Sequence, residues 1–259
     1  MKRARVAYAG AVHEACPAGE GNVRLEDGRI CGEREVVWLA PIEFGTIFAL
    51  GLNYADHARE IQVAAHADPL VFLKGPGSVV GHLGGMRRPD GVAMMHYECE
   101  LAVVIGRTAR NVARADALGH VAGYTIANDY TVRDYLENYY RPNLRVKNRD
   151  GGTALGPWFT EAADVPDPQD LEIRTRVNGR ETQHGNTADM VTPVAALIEY
   201  LSGFATLAPG DVILTGTPKG VVNVDAGDEV VCEIGDLGRL TSFVLSDEAF
   251  HRTNRGDVA

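Results

Sequence analysis

Glu98 and Glu100 stand two residues apart at the head of Leu101-Ala102-Val103-Val104-Ile105, an apolar run that reads as a buried strand. Side chains alternate along a strand, so both carboxylates leave one face while Cys99 leaves the other. Asp129 closes a second strand-like run, Gly123-Tyr124-Thr125-Ile126-Ala127-Asn128. Three carboxylates gathered at one spot from strand ends repel one another unless a hard cation sits between them. Oxygen donors with positions left for water or substrate suit Mg2+ or Mn2+. On residue pattern alone, a solvated Glu-x-Glu strand mouth remains the competing reading.

Other residues could work beside such a centre. In Asn53-Tyr54-Ala55-Asp56-His57-Ala58-Arg59-Glu60, Asp56 can cap a short helix that places His57 and Glu60 at i, i+3 on one face. A carboxylate beside an imidazole orients its tautomer and raises its basicity, which suits a general base; an incidental surface ion pair is the alternative. Lys74 ends the apolar strand Val71-Phe72-Leu73 and could lie exposed or reach into a pocket. Arg141, Arg145, Lys147 and Arg149 fall within nine residues, with Arg133 upstream. Such a run is a solvated face or a means of drawing in an anion. Gly216-Thr217-Pro218-Lys219-Gly220 follows the buried run Asp211 to Thr215. Its glycines allow close backbone approach to a ligand and Thr217 supplies a hydroxyl; the order of a phosphate-binding P-loop is absent.

The elements that must position these groups are mostly strands. Asp27-Gly28 and Asn178-Gly179 between alternating apolar residues predict hairpins, the second after a strand over Leu171 to Val177. Residues 1–43 read as a small β-rich accessory module and 44–259 as the main domain. Ala115 to Val121 predicts a short helix, and Thr131 to Tyr140 another with Val132, Tyr135, Leu136 and Tyr139 as its stripe. Ile61 to Pro69 reads as a loop. Thr192-Pro193 begins the clearest helix, threonine at the N-cap and proline at the first position, running to Gly203. Strands over Glu229 to Ile234 and Arg239 to Leu245 close the chain, and a polar tail that frays follows from Arg252. Many strands, few helices and no regular βαβ alternation predict a mainly β, mixed α+β architecture.

With 45% hydrophobic and 23% charged residues among 259, the composition is that of a soluble globular protein. The formal charge of −10 argues against a nucleic-acid partner. No apolar run reaches the length of a signal peptide or membrane span, and Cys16, Cys31, Cys99 and Cys232 lack metal-site spacing. They read as reduced thiols of a cytoplasmic protein.

Taken together and in order, Asn53-Tyr54-Ala55-Asp56-His57, Phe72-Leu73-Lys74, Tyr97-Glu98-Cys99-Glu100-Leu101, Asn128 to Asp134, Leu155-Gly156-Pro157-Trp158 and Thr215-Gly216-Thr217-Pro218 resemble the fumarylacetoacetate hydrolase family over residues 44–248. A narrower similarity, over Ala49 to His57 and Arg133 to Lys147, is to its isomerase/decarboxylase branch of 4-hydroxyphenylacetate (homoprotocatechuate) degradation. Acylpyruvate-cleaving relatives usually carry glutamine where this chain has Leu136.

The resemblance implies a mixed β-sandwich roll. It implies Mg2+, or Mn2+, held by Glu98, Glu100 and Asp129, a catalytic His57–Glu60 pair on a lid, and Lys147 near the reacting centre. Lys74, Arg133 and Thr217 fall at substrate-binding positions, while Arg141, Arg145 and Arg149 can be surface residues. The implied substrates are small anionic 2-oxo or 2-hydroxy-diene di- and tricarboxylates. They are 5-oxopent-3-ene-1,2,5-tricarboxylate, decarboxylated through a metal-held enolate, and 2-hydroxyhepta-2,4-diene-1,7-dioate, isomerised. The assembly implied is a homodimer or higher homo-oligomer, with room for a separate related N-terminal-type subunit, and with neither nucleic acid nor membrane as partner. An acylpyruvate hydrolase, an oxaloacetate decarboxylase and a non-catalytic metal-binding scaffold are the alternatives.

Overall fold

The runs of alternating and apolar residues do form strands. The structure is a computed structural model that describes residues 1–60, 68–136 and 144–254. In chain order, the first part contains β1 (Lys2–Tyr8), β2 (Ala11–Pro17), β3 (Asn22–Leu25), β4 (Ile30–Gly32), β5 (Val37–Trp38) and β6 (Ile47–Gly51), then α1 (Ala55–Glu60) and β7 (Leu70–Lys74). Next come β8 (Val79–Val80), β9 (Gly85–Arg87), β10 (Met95–His96), β11 (Cys99–Ile105), β12 (Val121–Asp129), β13 (Thr131–Val132), α2 (Leu144–Lys147) and β14 (Thr153–Glu161). The last part holds β15 (Glu172–Val177), β16 (Arg180–Asn186), α3 (Val194–Phe204), β17 (Val212–Leu214), β18 (Glu229–Ile234), β19 (Gly238–Leu245) and α4 (Asp247–Asn254).

Apart from the small β10-β13 pair, the strands make two sheets packed face to face. One runs β4-β3-β2-β1-β14-β12-β11-β17-β6-β7, with β5 and β8 attached; the other runs β16-β15-β18-β19-β9. Alternation along β11 sorts its side chains between two apolar layers. Leu101, Val103 and Ile105 join the core shared with the second sheet, while Ala102 and Val104 pack with Ile47, Ala49 and Leu214 on the opposite face. Glu98 and Glu100 share the parity of Ala102 and so lie on that opposite face, as the period of two requires. The mainly β, α+β reading therefore holds. β1 pairs with β14 at Lys2↔Thr160 and Arg3↔Phe159, so the sheet of residues 1–43 continues into the larger one while keeping an apolar cluster around Val6, Leu25 and Trp38. Among the described residues no helix is long and apolar enough to cross a membrane.

Both turn dipeptides form their hairpins, and at Asn178-Gly179 both residues have positive φ (51° and 79°), the conformation that makes this pair effective. The helix expected from Thr131 is different. Thr131 and Val132 form a buried strand paired with His96 and Met95, and only one 3-10 turn, Arg133–Tyr135, follows. Asp134 accepts the backbone N–H groups of Ala93 (2.7 Å) and Met94 (2.8 Å), holding the segment against its neighbour. The rest of that expected helix, with Tyr139, and most of the Ile61 to Pro69 loop lie outside the described residues. The segment expected as a helix from Ala115 is a 3-10 helix, Arg114–His120. In α3 the N-cap is Pro193 rather than Thr192, and the first N–H, of Val194, is taken by the Gln169 side chain at 2.9 Å. The polar C-terminal segment forms α4 as far as Asn254.

His82 locks the N-terminal cluster to the second sheet. Its ring meets Trp38 edge-on at 4.9 Å, and its Nδ1 accepts the Thr241 N–H at 3.0 Å. Burial, then Arg239 and Arg34, lower its pKa from 6.5 to about 4. The unfolded chain takes up this proton near pH 6.5 and the folded chain only near 4. Stability is thus full above that window and is lost as pH falls through it, by roughly 3 kcal/mol. His82→Gln is expected to flatten urea-unfolding free energies between pH 6.5 and 4 relative to the wild type. Equal slopes would show that His82 does not carry the effect.

Candidate active site

The register of β11 against β12 brings the acids together. Cys99 faces Asn128 and Glu100 faces Ala127, so Glu98 stands opposite Asp129, whose N–H donates to Glu98 O at 2.9 Å. Directly opposed residues have Cβ atoms about 5 Å apart, and a strand repeat adds the third acid on the same face. One carboxylate oxygen from each of Glu98, Glu100 and Asp129 lies within 4.8 Å of the others, and all three residues are buried. Cys99 projects to the other face, against Cys232, as expected.

Cations surround two of the acids. Lys147, at the end of α2, bonds Glu98 Oε2 and donates to Asp129 Oδ2 at 2.7 Å. Arg133 donates from Nη2 to Glu98 Oε1 at 2.6 Å and from Nε to His96 Nδ1 at 3.2 Å. Burial pushes the Glu98 carboxyl up, but Lys147 and Arg133 outweigh it and hold its pKa at about 2. Burial likewise disfavours the Lys147 charge, and Asp129 and Glu98 overcome it, so the ammonium is kept. For His96, burial and then Arg133 lower the pKa to about 4, leaving the ring neutral to accept from Arg133.

Glu100 differs from its neighbours. Its one hydrogen bond among the described residues is from Gly216 N–H to Oε2, at 2.7 Å. Gly216 has φ +88°, and a Cβ there would press on Asn53 at 3.0 Å. Only glycine therefore aims this N–H at the acid without strain. Burial, then the charges of Asp129 and Glu98, drive the Glu100 carboxyl well above the usual range. A divalent cation among the three would offset both the burial of the charge and the repulsion of the neighbouring acids, so the donor set fits a hard, oxygen-binding metal.

Above the acids lies a cavity of about 180 Å³, lined among others by His57, Glu98, Glu100, Arg133, Lys147 and Thr217. His57 Nδ1 is 3.1 Å from Glu60 Oε2, the i, i+3 pair of α1, and Gly220 N–H donates to Glu60 Oε1 at 3.0 Å. With Nδ1 taken, Nε2 is the ring nitrogen left for the cavity. Leu136, Leu50, Leu52, Leu70 and Phe72 supply its apolar walls.

Lys74 is the exception among the residues expected to meet substrate. It does not line the cavity; it lies beneath the acids and donates to Asp129 Oδ1 (2.5 Å), Gly152 O (3.1 Å) and Lys147 O. All three donor positions of its ammonium are engaged within the protein, so in this structure Lys74 braces Asp129 rather than facing the cavity. Arg145 and Arg149 stack over Tyr135 at 3.8 Å and 5.6 Å and line no part of the cavity; Arg141 lies outside the described residues. Two anchors of the Gly216–Gly220 loop were not legible in the sequence: Gln183, the one buried residue of β16, and Tyr97, whose hydroxyl donates to Gly220 O at 2.6 Å. The only signal for Gln183 is its place in an alternating hairpin strand.

Known proteins share this arrangement of chain. The family described as Fumarylacetoacetate (FAA) hydrolase C-terminal matches residues 46–245. The 4-hydroxyphenylacetate degradation bifunctional isomerase/decarboxylase of Salmonella dublin is 56% identical over 205 residues, 79% of this chain and 48% of that protein. The chain thus spans about half the length of that relative. A human mitochondrial oxaloacetate tautomerase is 40% identical over 82% of this chain and 70% of its own. The crystal structure of 2-hydroxyhepta-2,4-diene-1,7-dioate isomerase from Mycobacterium marinum superposes with a TM-score of 0.81 at 35% identity, covering 95% of this chain and 99% of that one. The chain belongs to the fumarylacetoacetate hydrolase family.

Proposed function

We propose that the protein is a Mg2+-dependent (or Mn2+-dependent) decarboxylase/isomerase of 5-oxopent-3-ene-1,2,5-tricarboxylate and 2-hydroxyhepta-2,4-diene-1,7-dioate. The observation that carries the reading is one cavity shared by the acids Glu98 and Glu100, the cations Lys147 and Arg133, and His57, whose Nδ1 is held by Glu60. A family relative of isomerase/decarboxylase name at 56% identity supports the choice of substrates.

Glu98, Glu100 and Asp129 would hold the metal, which when bound supplies a Lewis acid for the carbonyl and carboxylate of a 2-oxo acid. Lys147 and Arg133 give a protein of net charge −10 a local cationic wall for a polycarboxylate. Thr217 would donate a hydrogen bond to the bound acid. In decarboxylation the bond to the departing carboxylate breaks, CO2 leaves, and its electron pair enters the conjugated 2-oxo system. In isomerisation one proton leaves the enol oxygen and one is added at the far end of the diene. His57, held through Nδ1 by Glu60, is the group placed to move that proton. Leu136 in the cavity wall offers no amide to hold a hydrolytic water, which disfavours acylpyruvate hydrolysis.

The test is a substrate panel of the tricarboxylate, the diene-dioate, oxaloacetate and an acylpyruvate, each with and without Mg2+ and Mn2+. Metal-dependent turnover of the first two is expected; turnover confined to acylpyruvate would overturn the reading. Turnover confined to oxaloacetate would favour an oxaloacetate-acting enzyme, a decarboxylase if CO2 is released and a tautomerase, as the human relative is named, if it is not. We further propose that residues 1–43 are an accessory unit, supported by their own apolar cluster. A homodimer is supported by the exposed Leu70 and Leu73 on β7, the last strand of its sheet. A cytoplasmic location is supported by four free thiols.

A further inference from the structure

We propose that Gln183 is a positioning residue that fixes Thr217 as a hydrogen-bond donor into the cavity, so that the subsite at Thr217 accepts only an oxygen acceptor such as a substrate carboxylate. The inference deepens the function proposed above and rests on it for the identity of the acid.

The direction of each bond follows from atoms that can play only one part. Gln183 Nε2 lies 2.7 Å from Pro218 O, and a backbone carbonyl only accepts, so the atom facing it is the amide nitrogen. Its second hydrogen then goes to Thr217 Oγ1 at 2.8 Å. On the far side Gln183 Oε1 accepts from Thr175 Oγ1 at 2.7 Å, so both ends of the amide are held. Thr217 Oγ1 is therefore an acceptor toward Gln183, and its own hydrogen must point elsewhere. No other hydrogen bond to this hydroxyl forms among the described residues, and Thr217 lines the cavity beside His57, Glu100 and Lys147. The hydroxyl is left with its hydrogen for the ligand.

Gln183 is 1% exposed and does not line the cavity, so its effect on ligand passes through Thr217 and the loop that carries it. The same loop is pinned by Asn53 Nδ2 to Thr215 O at 2.8 Å and by Tyr97 to Gly220 O at 2.6 Å. Loss of the Gln183 bond to Thr217 alone leaves these other anchors in place.

A double-mutant cycle tests the assignment, with KM for the tricarboxylate and the dissociation constant for oxalate in Mg2+ as readouts. Gln183→Leu is expected to raise both about tenfold in the wild type, and by less than about twofold in the Thr217→Val background. kcat falls less than KM rises. Gln183→Glu, close to isosteric, offers Thr217 an acceptor, turns its hydrogen away from the cavity and weakens oxalate further than Gln183→Leu. Thr217→Ser, which keeps the hydroxyl, restores affinity to within about twofold of wild type. Equal effects of Gln183→Leu in both backgrounds, or a Gln183→Glu variant that folds and binds oxalate like the wild type, would overturn the assignment. If neither proposed substrate is turned over while the oxalate cycle behaves as expected, the function is wrong and the role of Gln183 stands.

Discussion

Glu100→Gln is expected to lower kcat/KM by about a thousandfold and to abolish stabilisation of the protein by added Mg2+. Glu100 is the acid whose oxygens are least engaged: Gly216 N–H takes Oε2, whereas Glu98 and Asp129 meet cations through both of their oxygens. The amide has the same shape, so its carbonyl oxygen can still accept from Gly216, but the charge that a divalent ion needs is gone. Burial and the two neighbouring acids already drive the Glu100 carboxyl well up, so without metal the fold does not depend on that charge. Thermal unfolding of the metal-free variant should therefore match or exceed that of the wild type, while the rise in melting temperature with Mg2+ disappears. A variant that still gains stability from Mg2+ would show that the ion does not depend on Glu100.

His57→Gln should reduce kcat for the isomerisation by about 10²- to 10⁴-fold, the usual contribution of a positioned acid–base group, with the Mg2+-induced shift in melting temperature unchanged. The separation of effects follows from geometry, because His57 lines the cavity but is not one of the three clustered acids. Glu60→Gln isolates the part of the carboxylate. Its side-chain oxygen can still accept from Gly220 N–H, so the loop stays anchored, but a neutral amide no longer stabilises an imidazolium at 3.1 Å. Its loss in kcat should be smaller than that of His57→Gln. Undiminished turnover in His57→Gln would assign the proton transfer to another group.

Glu98, Cys99 and Glu100 could be sorted onto opposite faces from the chain alone, because the period of a strand is a property of the backbone. Asp27-Gly28 and Asn178-Gly179 were equally legible, since a positive φ is a local requirement and few residues meet it cheaply. Thr131 to Tyr135 misleads for the converse reason. Its apolar spacing suits a helix, yet pairing with Met95–His96 and the capture of two N–H groups by Asp134 decide its conformation. Those partners lie about forty residues away in the chain.

By itself, then, the sequence determined most of the longer strands, the faces of β11, the hairpin turns, the His57–Glu60 spacing and the family. Only the tertiary structure decided that Glu98 lies opposite Asp129, that Lys74 turns beneath the acids rather than toward a ligand, and that Gln183 orients Thr217. Local periodicity says which way a side chain leaves its own strand. Which partner it meets depends on strand register and on contacts across the sheets, where burial forces every ammonium, amide and carboxylate to find a matching group.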